Sequence, residues 1–153
     1  MKKKLLILAG GFSREREISL KTAKAVFKEI KNIYITKISE PDGNLVKNLR
    51  KFKPDFVFNA LHGRYGEDGY VQSILESEKI KYTHSGVLAS SIAIDKEISK
   101  KIFIKNKINT PKFFTYSYDV KNDDLIKKIK KKLRFPVVAK PLNEGSSVNV
   151  YIC

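Results

Sequence analysis

The chain has 153 residues, 42% of them hydrophobic and 10% aromatic, which is enough apolar side chain to bury one full-sized core or two small ones in contact and excludes disorder as the default state. Its 31 basic and 16 acidic residues leave a net charge of +15, shared between residues 1–95 (17 basic, 11 acidic) and 96–153 (14 and 5); a surplus spread in this way reads as a solvated lysine-rich surface, so nucleic-acid binding is not the expected main function. The single cysteine, Cys153, excludes an internal disulfide framework or a cysteine-based zinc site and fits a reducing compartment, the cytoplasm.

The start, MKKKLLILAGG, puts three lysines before an apolar run, as a signal peptide does. Residues 5–9 are too short for the apolar region of such a peptide, and four charges follow where a small-residue cleavage site would lie. The run is expected to be a buried parallel strand ended by Gly10-Gly11. Ala23, Val26, Phe27 and Ile30 recur at helical spacing, with Lys21, Lys24 and Lys28 left to face water. Residues 33–38 predict a second strand, and Pro41-Asp42-Gly43 breaks the chain before an amphipathic segment with Leu45, Val46 and Leu49. Residues 56–61 predict a third strand whose end delivers His62-Gly63; Val71, Ile74 and Leu75 mark a helix, and a short run follows around Tyr82. Strand and helix alternating at this spacing predict βαβ units with right-handed crossovers, so residues 1 to about 90 read as one doubly wound α/β domain.

The texture changes after Asp95-Lys96. Ile98, Ile102 and Ile104 among lysines predict a helix, Thr110-Pro111 breaks it, and residues 113–118 predict a strand. Asp123 and Asp124 suit the start of a further helix and Lys127, Lys128 and Lys130 to Lys132 its end, as the helix dipole prefers. Residues 137–140 and 148–152 predict two strands joined by a glycine and serine turn. This second unit reads as α+β. No stretch approaches the roughly 20 apolar residues of a membrane helix.

Four places carry candidate chemistry. Gly10-Gly11 lies where open α/β sheets bind ligands, outside the carboxyl ends of the strands, though a bare turn would look the same. Glu15, near the start of the next helix, suits either the helix dipole or a substrate ammonium group. HGRYGEDG packs His62, Gly63, Gly66, Glu67, Asp68 and Gly69 into eight residues after a hydrophobic strand, the composition of a binding loop. His62 there suits proton handling or a plain strand cap. Finally Lys140, Glu144, Ser146 and Ser147 surround a flexible turn that could fold over phosphates or could be a solvated hairpin. Neither G-x-G-x-x-G nor a Walker A pattern is present.

Taken together, LAGGFSREREIS, ALHGRYGEDG, YTHSGVLASSIAIDK and FPVVAKPLNEGSSV resemble the N-terminal half of the D-alanine:D-alanine ligases, ATP-grasp enzymes. The resemblance implies a Rossmann-like, parallel-sheet substrate-binding domain over residues 1–92 and a partial α+β ATP-grasp subdomain over 93–153. It implies that Glu15 holds the ammonium of the first D-alanine with support from Ser146, that His62 and the loop Gly63, Gly66, Glu67, Asp68 and Gly69 border the reacting D-alanine, and that Lys96 and Lys140 contact the phosphates of ATP. It further implies ATP-driven phosphorylation of one D-alanine carboxylate and attack by the amine of a second, for a peptidoglycan precursor, with homodimerisation through the first domain. Mg2+ is implied too, with ligands that the family pattern puts beyond residue 153, so the chain alone is expected to turn over weakly or not at all. Asn149 departs from the family's usual glycine. Whether D-alanine or D-lactate is the second substrate stays open, and the readings from other classes are a non-catalytic binding or dimerisation module and a basic nucleic-acid binder.

Overall fold

The computed structural model describes residues 2–145 and 149–153. It divides into two compact units, Met1–Ile92 and Ala93–Cys153. In the first, strands β1 (Lys4–Leu8), β2 (Ile35–Ser39), β3 (Phe56–Asn59) and β4 (Lys81–Tyr82) alternate with helices α1 (Arg16–Ile30), α2 (Leu45–Phe52) and α3 (Tyr70–Ser77). The sheet runs β2-β1-β3-β4 and every pairing is parallel, with Leu5 opposite Thr36 on one side and Phe56 on the other.

The apolar run of β1 is continuous because both its faces are covered. Leu6 and Leu8 meet Leu45 and Leu49 of α2 and Val71 and Leu75 of α3. Leu5 and Ile7 meet Ala23 of α1, with Leu20, Val26, Phe27 and Ile30 packed around them. At roughly 1.5–3 kcal/mol per buried aliphatic side chain, these two layers are the main stabilising term of the unit. Strand β1 is joined to β2 on one side and β3 on the other, so the direction of winding reverses between β1 and β3. The crevice at the carboxyl ends of those two strands is where this architecture takes ligands.

Three local expectations need correction. The second strand starts at Ile35, not Ile33, because the N–H groups of Ile33 and Tyr34 close the end of α1 by donating to Ile30. The third strand ends at Asn59, since the Leu61 N–H turns back to the Asn59 side chain. Helix α4 (Val87–Ile94) has no counterpart in the sequence reading: VLASSIAI lacks a polar stripe, and so gives no helical period to read.

In the second unit α5 (Lys96–Lys105) opens at Asp95, whose carboxylate accepts the N–H groups of Glu97 and Ile98 at 2.9 Å each, a helix cap of the ordinary kind. Helix α6 (Asn122–Lys132) has Asp123 and Asp124 in its first turn and Lys130 to Lys132 in its last. Strands β5 (Val138–Ala139) and β6 (Tyr151–Ile152) pair antiparallel and are shorter than the predicted runs; Ser146, Ser147 and Val148 lie outside the described residues. Residues 113–118 form no strand. Their β propensity finds no ladder, and the Phe113 and Phe114 rings instead lie beneath Lys100 and Lys128 at 5.1 and 4.7 Å. No described residue of this unit is fully buried. No described helix is long and apolar enough to cross a membrane.

Candidate functional site

The crevice between β1 and β3 is built from three side chains that tie its walls. Ser19, fully buried on the sheet face of α1, donates to the Ala60 carbonyl at 2.8 Å and accepts the Gly10 N–H at 2.8 Å, so one hydroxyl joins the ends of both strands. Ser13 donates to the His62 carbonyl at 2.8 Å and accepts the Glu15 N–H at 3.2 Å. The Gly10-Gly11 turn has positive φ at both residues and packs on Glu40, which bonds Arg16 and accepts the Gly11 N–H at 3.4 Å.

Glu15 occupies the N-cap position of α1 but its carboxylate does not cap the helix. The side chain is buried, at 6% exposure, and no hydrogen bond from a described residue reaches its carboxylate. It lies against Gly63: a methyl group on that α-carbon would stand 2.8 Å from Glu15 Oε2. Gly63 has φ +64°, a conformation glycine adopts at little cost. Its N–H donates to Glu67 Oε2 at 2.9 Å. The other oxygen of Glu67 stands 3.8 Å from His62 Nδ1, and Thr22 Oγ1 stands 3.5 Å from Nε2 on the far side of the ring. Glu15, His62, Gly63 and Glu67 thus come together, on elements whose positions the sheet dictates.

Asp68 and Gly69 do other work. Asp68 accepts the Tyr70 N–H at 3.1 Å and lies 3.6 Å from Arg64, and Gly69 takes the N-cap position of α3, so both shape the helix start. The Gly66 carbonyl accepts from two buried amides, Asn59 and Gln72.

In the second unit Lys96 donates through Nζ to the carbonyls of Leu142, at 3.0 Å, and Glu144. Burial, and then the Lys140 charge, hold its pKa below the ordinary lysine value, against the opposing pull of Asp95 and Glu144. Lys100 is lowered by burial and by Lys140 as well, and it donates to Thr110 Oγ1 at 2.8 Å and to the Pro111 carbonyl at 3.0 Å. Three lysines therefore share one neighbourhood in which an anion would relieve mutual repulsion. Lys140 also lines a cleft of about 500 Å³ with Phe114, Tyr116 and Tyr151. Ser146 lies outside the described residues.

Reading the sequence did not single out Ser13, Ser19, Asn59, Gln72 or Lys100. Ser19 left one signal: it sits one turn before Ala23 on the apolar face of α1, a polar residue at a core position.

The family description "D-ala D-ala ligase N-terminus" matches residues 36–85 and "RimK-like ATP-grasp domain" matches residues 93–153. The D-alanine--D-alanine ligase of Pelagibacter ubique is 66% identical over 154 residues, spanning all of this chain and 51% of that protein. The chain matches the D-alanine--D-alanine ligases over their N-terminal half. Two crystal structures of D-alanine--D-alanine ligase from Bacillus anthracis, the second complexed with ATP, match at 36% and 34% identity with TM-scores of 0.81 and 0.79, covering 99% and 100% of this chain and 49% of each of theirs. The chain spans about half the length of the ligases it matches, and it corresponds to their N-terminal half. The parallel sheet of the first unit and the α+β second unit are thus the folds of a D-alanine:D-alanine ligase, and the ATP-grasp match falls on the unit that carries Lys96 and Lys140.

Proposed function

We propose that the chain supplies the first D-alanine site and part of the ATP-phosphate site of an ATP-dependent D-alanine:D-alanine ligase that makes a peptidoglycan precursor. The observation that carries this is the Glu15 carboxylate: buried, unbonded by any described residue, and set against the Gly63 backbone at the sheet's switch point. With no described residue bonded to this carboxylate, an incoming ammonium group can pair with it through charge-assisted hydrogen bonds. The missing side chain at Gly63 lets the Glu15 carboxylate lie against the loop backbone, and His62, with Glu67 and Thr22 at its two ring nitrogens, stands at the edge of the same crevice.

Lys96 and Lys140 take the phosphates. Partial burial and mutual repulsion make a bound anion favourable there, and the ligase solved with ATP supports that choice of anion. In the reaction the resemblance implies, an oxygen of the first D-alanine carboxylate attacks the terminal phosphorus and ADP leaves. The amine of the second D-alanine then attacks the acyl phosphate and phosphate leaves, which forms the new C–N bond. Among the described residues no three His, Cys, Asp or Glu side chains gather as a metal ion requires. Use of ATP fits a cytoplasmic ligase, and the family resemblance supports a homodimer formed through the first unit.

The test is calorimetric titration of the chain with D-alanine and, separately, with ATP. D-alanine is expected to bind, and Glu15→Gln to weaken it at least tenfold, the effect of losing one charged hydrogen bond. Lys140→Ala is expected to weaken ATP alone. No heat with D-alanine, or equal affinity in the Glu15→Gln variant, would overturn the assignment.

A further inference from the structure

The loop that carries His62 and Gly63 is pinned at one atom. The Gly66 carbonyl oxygen accepts a hydrogen bond from Asn59 Nδ2 at 2.8 Å and another from Gln72 Nε2 at 2.7 Å. Both donors are 1% exposed. Asn59 comes from the end of β3 and Gln72 from the first turn of α3, so the two amides grip the loop from the strand that enters it and the helix that leaves it. The grip is passed on. The N–H groups of Gly66 and Glu67 both donate to the Gly63 carbonyl at 2.9 Å, and Glu67 returns a carboxylate oxygen to the Gly63 N–H. Where Gly66 sits therefore decides where Gly63 sits against Glu15, and where Glu67 stands beside His62.

Gln72 is held at a cost. It lies in the core between Val71 and Leu75, and its Oε1 is the buried side-chain nitrogen or oxygen without a hydrogen-bond partner among the described residues. A core position that needed only packing would take methionine or leucine and leave no orphaned acceptor. Rotating the amide would set its oxygen against the Gly66 carbonyl oxygen, so the donor assignment stands on chemistry.

We infer that Gln72, together with Asn59, is a positioning residue of the ligase: it keeps the loop over residues 62–69 in the one register that sets Gly63 and His62 against the Glu15 carboxylate. This rests on the reading of Glu15 as the D-alanine site. Gln72 touches no substrate in this scheme and acts through the Gly66 carbonyl.

Two variants test it. Gln72→Met keeps the length and fills the core without a donor, and Gln72→Asn keeps the amide but falls one methylene short. Hydrogen exchange at the Gly66 and Glu67 amides reports the loop, D-alanine titration reports the site, and urea unfolding reports the core. Both variants are expected to speed exchange of those two amides at least tenfold relative to the core strands and to weaken D-alanine about tenfold, while Gln72→Met keeps its unfolding midpoint. A role confined to packing predicts the opposite split, with Gln72→Met normal in all three measurements; that result overturns the inference. Faster exchange with unchanged affinity also overturns it and leaves the Glu15 reading intact. If the unsubstituted chain binds no D-alanine, the Glu15 reading fails on its own, and the claim that Gln72 sets the register of a substrate site falls with it.

Discussion

The carboxylate of Glu15 rests on the α-carbon of Gly63, with a methyl group at that position reaching to 2.8 Å from Oε2. The contact joins the loop after β1 to the loop after β3, and it makes the absence of a side chain at position 63 part of the site. Gly63→Ala would add a methyl in this gap and place a non-glycine residue at φ +64°. The conformational cost is about 1 kcal/mol, and the Glu15 side chain must move as well. The expected outcome is a stability loss of about 1–2 kcal/mol in urea and D-alanine affinity reduced roughly tenfold; unchanged affinity would separate Gly63 from the site.

Ser19 is the strongest single tie in the crevice. Ser19→Ala leaves the Gly10 N–H and the Ala60 carbonyl without the hydroxyl they share, at about 1–3 kcal/mol for each buried group left unpaired. A loss of roughly 3 kcal/mol in denaturant unfolding is expected. Ser19→Cys, which restores bulk but only a weak donor, should recover a minor part of it.

His84 lies in an exposed turn at φ +82°, where a side chain is strained. Replacing it by glycine removes that strain and returns part of the gain as unfolded-chain entropy. His84→Gly is expected to stabilise the first unit by about 0.5–1 kcal/mol, read as a raised thermal midpoint. A destabilised variant would show that the imidazole makes an interaction worth more than the strain.

Tyr82 sets an alkaline limit. Burial first, and then its 2.6 Å hydrogen bond to the Glu76 carboxylate and that group's charge, push its pKa from 10.0 up to about 12. The folded value lies above the unfolded one, so the contribution is fully present below pH 10 and is lost as pH rises from about 10 through about 12. Ultraviolet titration of phenolate absorbance should show one late tyrosine, and Glu76→Gln should bring its midpoint down. A midpoint unmoved by that substitution would leave burial as the whole cause.

Much of the first unit was legible in the residues because its signals are local. The run LLILA could only be a strand covered on both faces, and Ala23, Val26, Phe27 and Ile30 could only present one helical face to it. The same reading missed α4, since VLASSIAI is apolar all round and has no period, and it overcalled residues 113–118, since aromatic residues report a preference for strand but not whether a neighbouring strand is there to pair with. Glu15 and His62 stood out by type and by their place after strands. Ser19, Asn59 and Gln72 did not, because a polar residue in a core carries no mark of which backbone atom it will meet.

The amino-acid order by itself determined the alternation of strand and helix and the resemblance to the ligases, both of which depend on periodicity and on motifs read along the chain. The tertiary structure alone decided that Glu15 is buried without a described partner, that Gly63 rather than Gly66 is the glycine it touches, and that two amides converge on one carbonyl. Those facts join residues as much as 48 positions apart, and only the parallel sheet, by setting the ends of β1 and β3 side by side, brings them within bonding distance.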